Sequence, residues 1–237
     1  LAEVAALEDE MRGVARQAQG RLRVAMPAGM ARLVVAPALP AFLAEHPAVT
    51  VEIETISGFP DFTADRIDMA VFIGEPPDTG AVARTIGRIP FVCTAAPDYL
   101  ARRGRPLRPE DLHAHDCIGI RSSLTGRALE FRFHRDGRDH PQQLACRMVF
   151  EASEPAVAAA VAGGGCLMMI GYLVADEIET GRLEQVLADW LYPGADILVV
   201  RPAHRLKPAK VAVFERFLVG LLRAQRARWM APRLRRP

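Results

Sequence analysis

The residues whose types could carry chemistry are four cysteines, six histidines, a glycine triplet and a pair of glutamates. Thiolates bind zinc or act as nucleophiles, but Cys93, Cys117, Cys146 and Cys166 are scattered and form no Cys-x-x-Cys pair. Zinc is therefore not expected. Each thiol sits in an apolar, strand-like context, which reads as a buried free cysteine of a reducing cytoplasm. His113-Ala114-His115 has no carboxylate or cysteine at metal-ligand spacing and reads as a surface loop. Gly163-Gly164-Gly165 follows a helical pattern and precedes a strand, the reverse of a dinucleotide fingerprint, so it reads as a helix cap and tight turn. Glu151 and Glu154 are spaced for acid–base work, yet nothing marks them as buried, and charge at a helix start is the better reading. No nucleophile elbow and no phosphate-cradling glycine loop occurs. No constellation demands catalysis, and neither metal nor cofactor is expected.

A second set of residues suits binding. Backbone N–H groups at the helix start that follows Met26, at Pro27-Ala28-Gly29-Met30, would present the positive end of a helix dipole. Hydroxyls at Ser57, Ser122 and Ser123 would add a polar clamp, and Arg121 a fixed positive charge suited to a carboxylate. Phe72, Met168 and Met169 would form an apolar wall. The expected ligand is a small organic acid or similarly sized metabolite with an apolar body.

These residues need a scaffold, and residues 21–74 supply its plan: strand, turn, helix, strand, short helix, strand. Leu22 to Met26 is a short apolar run broken by Pro27-Ala28-Gly29, and the apolar segment Ala31 to His46 reads as helix. Val49, Val51 and Ile53 alternate with Thr50, Glu52 and Glu54, the period of a strand. Ile67 to Ile73 is nearly all apolar, as in a strand covered on both faces. Strands alternating with helices imply parallel pairing, with ligands beyond the carboxyl ends of the strands. That places Pro27 to Met30, Ser57-Gly58 and Phe72 to Glu75 on the rim.

Further along, the segment Ala81 to Ala96 is interrupted by Gly87 and Pro90, where a strand would break and enter another sheet. Pro97 to Gly104 reads as a helix, and Cys117 to Arg121 as a strand. Leu129 to Phe133 leads into Asp136-Gly137, a hairpin signal, with Gln143 to Phe150 as the returning strand. Ser153 is expected to cap a helix carrying Pro155 in its first turn. Cys166 to Ile170 reads as a buried strand, Tyr172 to Thr180 as a helix and Ile197 to Arg201 as a last strand. Lys207 to Arg228 closes as a helix with Val211, Phe214, Phe217, Leu218 and Leu221 on one face. Two α/β units result, about 21–89 and about 90–200, and a cleft between them would hold a small ligand.

At the amino end, Val4, Leu7, Met11, Val14 and Ala18 form a heptad seam stopped by Gly20. The chain starts at Leu1 with no charged-then-apolar leader, which reads as a processed chain or a fragment. No apolar run approaches the length of a bilayer span. Net charge is +2, and six arginines among residues 223–237 (Arg223, Arg226, Arg228, Arg233, Arg235 and Arg236) with no acid leave −4 for the rest. That tail reads as a solvated basic face.

The motif order resembles the effector-binding region of LysR-type transcriptional regulators. It is carried by Gly20 to Val24, Leu39 to Val49, Arg66 to Val71, Ala96 to Leu100 and Asp111 to Ile118. Ala160 to Gly165, Gly181-Arg182-Leu183 and Lys210 to Leu218 continue it, so that it spans residues 20–222. The resemblance implies an α/β fold of two Rossmann-like subdomains joined by two crossover strands, like type 2 periplasmic binding proteins. Residues 1–19 would end a linker helix that pairs in homodimers or tetramers. Residues 20–89 with 203–228 would form one subdomain, 90–202 the other and 229–237 a basic tail. Effector contacts would come from Pro27 to Met30, Ser57-Gly58, Arg121-Ser122-Ser123 and Ala152-Ser153-Glu154. DNA would be read only by a winged helix-turn-helix upstream. Phe72 stands where many relatives carry arginine, Ala28 or Gly29 where they carry a polar residue, and Ile170 where proline is usual. The alternative is a stand-alone solute-binding protein of a transporter.

Overall fold

A computed structural model describes residues 18–62, 66–76, 80–122, 125–190, 192–203 and 208–229. The seam at Val4 to Val14 and Ser123 lie outside the described residues. The chain divides into two compact units, Leu1–Gly87 with Asp196–Ala224 and Arg88–Ala195 with Gln225–Pro237.

In unit 1, strand β1 (Gly20–Met26) lies between β2 (Val49–Thr55) and β3 (Met69–Ile73), and both pairings are parallel. Leu22 faces Val51 and Val24 faces Ile53, so the alternation read in the sequence sets the register. Leu22, Val24, Ala25, Met26, Met69, Ala70 and Val71 are buried, as a central position requires. On the more open face Arg21 pairs with Glu52 at 2.6 Å, and Arg23 reaches Glu52 and Glu54.

The apolar segment Ala31 to His46 is not one helix. An α-turn (Ala28–Met30) continues as a π-turn (Ala31–Val35), together α1, and a second helix, α2, covers Leu39–Glu45. Pro37 and Pro40 lack the N–H groups that a continuous helix would bond to Leu33 and Ala36. The backbone instead closes a wide turn, Ala36 N–H donating to Ala31 O at 2.8 Å, and restarts with Pro40 in the first turn of α2. The short helix expected between β2 and β3 falls partly on 63–65, outside the described residues, and residues 56–62 are loop and turn.

The last strand is longer than the sequence suggests. β4 spans Val82–Ala95 and runs unbroken through Gly87 and Pro90, and β11 spans Tyr192–Arg201. Each has residues in both units, so these two strands carry the chain from one unit to the other. The closing helix, α6 (Ala209–Trp229), sets Phe214 and Phe217 against Phe42 of α2 at centroid distances of 5.3 and 4.8 Å. At its start Lys210 Nζ lies 2.8 Å from Asp68 Oδ2 and also donates to Arg21 O. Asp68 Oδ2 accepts from Arg23 N–H at 3.0 Å as well, so one half-buried carboxylate ties the helix to β1.

In unit 2, β5 (Cys117–Ile120) lies between β8 (Met148–Phe150) and β9 (Cys166–Ile170), parallel to both. β9 then pairs antiparallel with β4, as does the short β10 (Glu184–Val186). β6 (Phe131–Arg135) and β7 (Arg138–Gln142) form a hairpin across Asp136 and Gly137. Both turn residues have positive φ, 51° and 73°, the conformation that an Asp-Gly pair favours. The returning strand therefore ends at Gln142, and 143–147 is loop before β8, because the tight turn sets the register directly opposite β6.

Helix α3 (Pro97–Arg103) stops at Gly104, and α4 (Ser153–Val161) stops in a Schellman turn. Gly163 N–H donates to Ala160 O at 2.9 Å and Gly164 N–H to Ala159 O at 3.0 Å, the cap expected of the triplet. Ser153 is not the N-cap: extended Ala152 takes that place, without a side-chain bond, and Ser153 is already helical. Helix α5 (Gly171–Glu179) follows β9 directly. His113 and Ala114 are exposed, and His115 is half-buried, its Nδ1 lying 3.2 Å from the hydroxyl of buried Tyr99. Desolvation, and then the charge of Arg103, hold its pKa below the usual histidine value.

Candidate functional site

The carboxyl ends of β5 and β8 open into a concavity of about 430 Å3 lined by Arg121, Ser122, Gly126, Val149 and Glu151. Strand pairing builds it: Ile120 faces Phe150, so Arg121 and Glu151 stand side by side, one residue past each strand end. Arg121 N–H donates to Phe150 O at 2.8 Å and holds that spacing. The loop folds back on itself. Ser122 N–H donates to Arg127 O, Gly126 N–H to Ser122 O, and the Ser122 hydroxyl accepts from Thr125 N–H at 3.2 Å. Ser122 thus shapes the turn that presents its neighbours.

Of the residues read as a binding set, Arg121 and Ser122 come together here. Ser153 is half-buried on the first turn of α4 and does not line the concavity. Met168 does not line it either. It is buried in β9, and its Sδ accepts from Arg132 N–H at 3.2 Å. Its apolar side chain is core, as is that of Met169. Glu151 and Val149 were missed as lining residues. The signal that would have found them is the β5–β8 register, which no local pattern carries.

In unit 1 the rim residues sit at the ends of β1 and β2. Ile56 N–H donates to Met26 O at 3.0 Å, placing Ser57 and Gly58 beside Pro27 and Ala28. Ala28 and Ser57 are exposed, whereas Gly29 and Met30 are buried. The Met30 side chain is therefore core and not rim. Phe72 is half-buried and packs edge-on against Phe59 at 5.5 Å, with Phe59 in turn 5.9 Å from Phe62. This aromatic set, rather than Phe72 alone, forms the apolar flank of that rim.

All four cysteines are free. Cys117 and Cys166 face each other across β5 and β9, and burial first, then neighbouring charge, pushes both thiols up to about 12. Burial raises Cys93 as well, and Cys146 in its loop. Such thiols stay protonated and inert at neutral pH. Among the described residues no three His, Cys, Asp or Glu side chains gather to hold a metal ion. No single helix among them is long and apolar enough to cross a membrane.

The described architecture is two α/β units joined by two strands, each with loops at its strand ends. The chain belongs to the LysR substrate binding domain family, which it matches over residues 15–223. It is 33% identical over 195 residues to a Pseudomonas aeruginosa protein bearing the name of a transcriptional regulator, covering 81% of this chain and 64% of that one. The chain thus spans less than two thirds of that relative. It is 29% identical to the HTH-type transcriptional regulator PtxR of the same species, over 90% of this chain and 68% of PtxR. Among solved structures it resembles CrgA, a LysR-type transcriptional regulator from Neisseria meningitidis, at 26% identity with a TM-score of 0.78. That match covers 92% of this chain and 74% of CrgA. The CrgA regulatory domain alone matches at 25% identity and a TM-score of 0.74, covering 85% of this chain and 98% of that domain. The fold is accordingly that of type 2 periplasmic binding proteins, two Rossmann-like subdomains with two crossover strands.

Proposed function

We propose that this chain is the effector-sensing region of a LysR-type regulator and that its effector is a small metabolite. The observation that carries this reading is the concavity at the β5 and β8 carboxyl ends, in a chain whose family match spans 15–223. Ligands of open α/β sheets bind outside the carboxyl ends of strands, and Arg121 supplies a cation there for a carboxylate. Unit 1 has a rim of its own at its strand ends, half-buried Pro27 and Gly58 with exposed Ala28 and Ser57, flanked by Phe72. On this reading the full-length regulator acts in the cytoplasm, and it binds DNA through a helix-turn-helix segment of the kind that the names of the HTH-type relatives carry.

Thermal melting against a panel of small carboxylates and amino acids tests the sensing role. A ligand should raise the melting temperature, and either Ser57→Leu or Arg121→Gln should abolish the rise with the unliganded melt unchanged. A rise that persists in both variants would place the effector elsewhere.

Self-association is part of the same proposal. The apolar seam Val4, Leu7, Met11 and Val14 motivates it. Sedimentation across a concentration series should show the full chain associating more tightly than one starting at Arg21. Equal behaviour of the two would remove the pairing role of residues 1–19.

A further inference from the structure

The unit 2 concavity carries a carboxylate as well as a guanidinium. Arg121 and Glu151 are register neighbours on parallel strands, and such neighbours project to one face of a sheet. Both side chains are exposed and both line the concavity. Even so, neither is ion-paired with the other or with any further described residue. This is unlike other exposed arginines of the same unit, where Arg147 lies 3.6 Å from Asp116 and Arg182 lies 2.6 Å from Glu177. The third element is apolar: Val149, on the edge strand β8, exposes its side chain into the same space.

A simple monocarboxylate would satisfy Arg121 and set its own charge beside the Glu151 carboxylate. Like charges brought together in one concavity oppose binding. A ligand with a cationic group next to its carboxylate turns that repulsion into a second charge-assisted hydrogen bond. The volume of about 430 Å3 lies in the range of small-molecule sites, roughly 300–1,000 Å3.

We propose that the concavity takes a zwitterion of the α-amino acid type with an apolar side chain, its carboxylate on Arg121, its ammonium on Glu151 and its side chain toward Val149. This rests on the reading of the concavity as a ligand site, and it narrows the ligand from organic acids at large to those that also carry a cation.

Calorimetric titration of the full chain with three probes of one carbon skeleton tests it: L-leucine, 4-methylpentanoate and 3-methylbutan-1-amine. L-Leucine should bind, and the two singly charged probes should bind about tenfold more weakly or worse, the scale of one charge-assisted hydrogen bond. Glu151→Gln should bring L-leucine and 4-methylpentanoate to similar affinities, and Arg121→Gln should weaken both. Melting of each variant without ligand should match the parent, because both side chains are exposed. Equal binding of 4-methylpentanoate and L-leucine to the parent, lost in Arg121→Gln and unaltered in Glu151→Gln, would overturn the zwitterion and leave the acid-binding site standing. Binding of none of the three at millimolar concentration, or binding indifferent to both substitutions, would overturn the zwitterion and the site together.

Discussion

Gly194→Ala should destabilise unit 2 by about 2–5 kcal/mol, the sum of a left-handed alanine and a backbone clash. Gly194 lies in β11 at φ 97°, a conformation that a Cβ disfavours. An added Cβ would also sit 1.7 Å from Ile89 O and 2.6 Å from the Pro90 Cα of β4. Neither contact can be relieved by rotating a side chain, since both are with backbone. The strands would have to separate where the chain passes through Pro90. Because a domain of this size holds only about 5–15 kcal/mol in reserve, urea unfolding followed by circular dichroism should show a much lower midpoint. A control at Gly181, where φ is also positive but nothing lies within 4 Å of an added Cβ, should lose only about 1–2 kcal/mol. Equal losses at the two positions would mean that strain alone, and not the close approach of β11 to β4, makes Gly194 necessary.

Trp229→Ala should cost about 3–5 kcal/mol, the range for a buried tryptophan cut to alanine. Trp229 is the last described residue of α6 and only 4% exposed. Its ring packs edge-on against Tyr172 of α5 at 5.8 Å, and its carbonyl lies where a Cβ on Gly171 would come within 2.5 Å. Just before it, Arg228 donates to Glu179 at 2.7 and 2.8 Å and to Asp176. Those bonds hold the Glu179 carboxyl below its usual pKa. They lie in water, so Arg228→Ala should cost under about 1 kcal/mol. Thermal melts of the two variants should therefore rank tryptophan well ahead of arginine. The reverse order would mean that the charged pairs, and not the buried ring, hold the end of α6.

Much of the scaffold was legible in the sequence because its signals are local. Alternation at Val49, Val51 and Ile53 defines β2, and the run Met69 to Ile73 a strand buried on both faces. Asp136-Gly137 specifies the hairpin, and Gly104, Gly163 and Gly181 the helix ends, since each such turn needs a backbone that few residues adopt. The order of these elements was enough to point to the family. Local signals failed where a distant partner decided. Gly87 and Pro90 read as breaks, yet β4 runs on past the cleared space at Gly194, far away in sequence. Trp229 read as the start of a solvated tail, yet α5 supplies a pocket for it.

The binding residues divide in the same way. The family resemblance together with residue type marked Arg121 and Ser122, and strand ends marked Ser57 and Ala28 as rim. Type could not say that Met30 and Met168 turn into the core while Glu151 turns out beside Arg121. A side chain's chemistry belongs to the residue, but its direction and its neighbours follow from strand register and from which face a sheet buries. Those are set by contacts between residues tens of positions apart, and only the tertiary structure closes them.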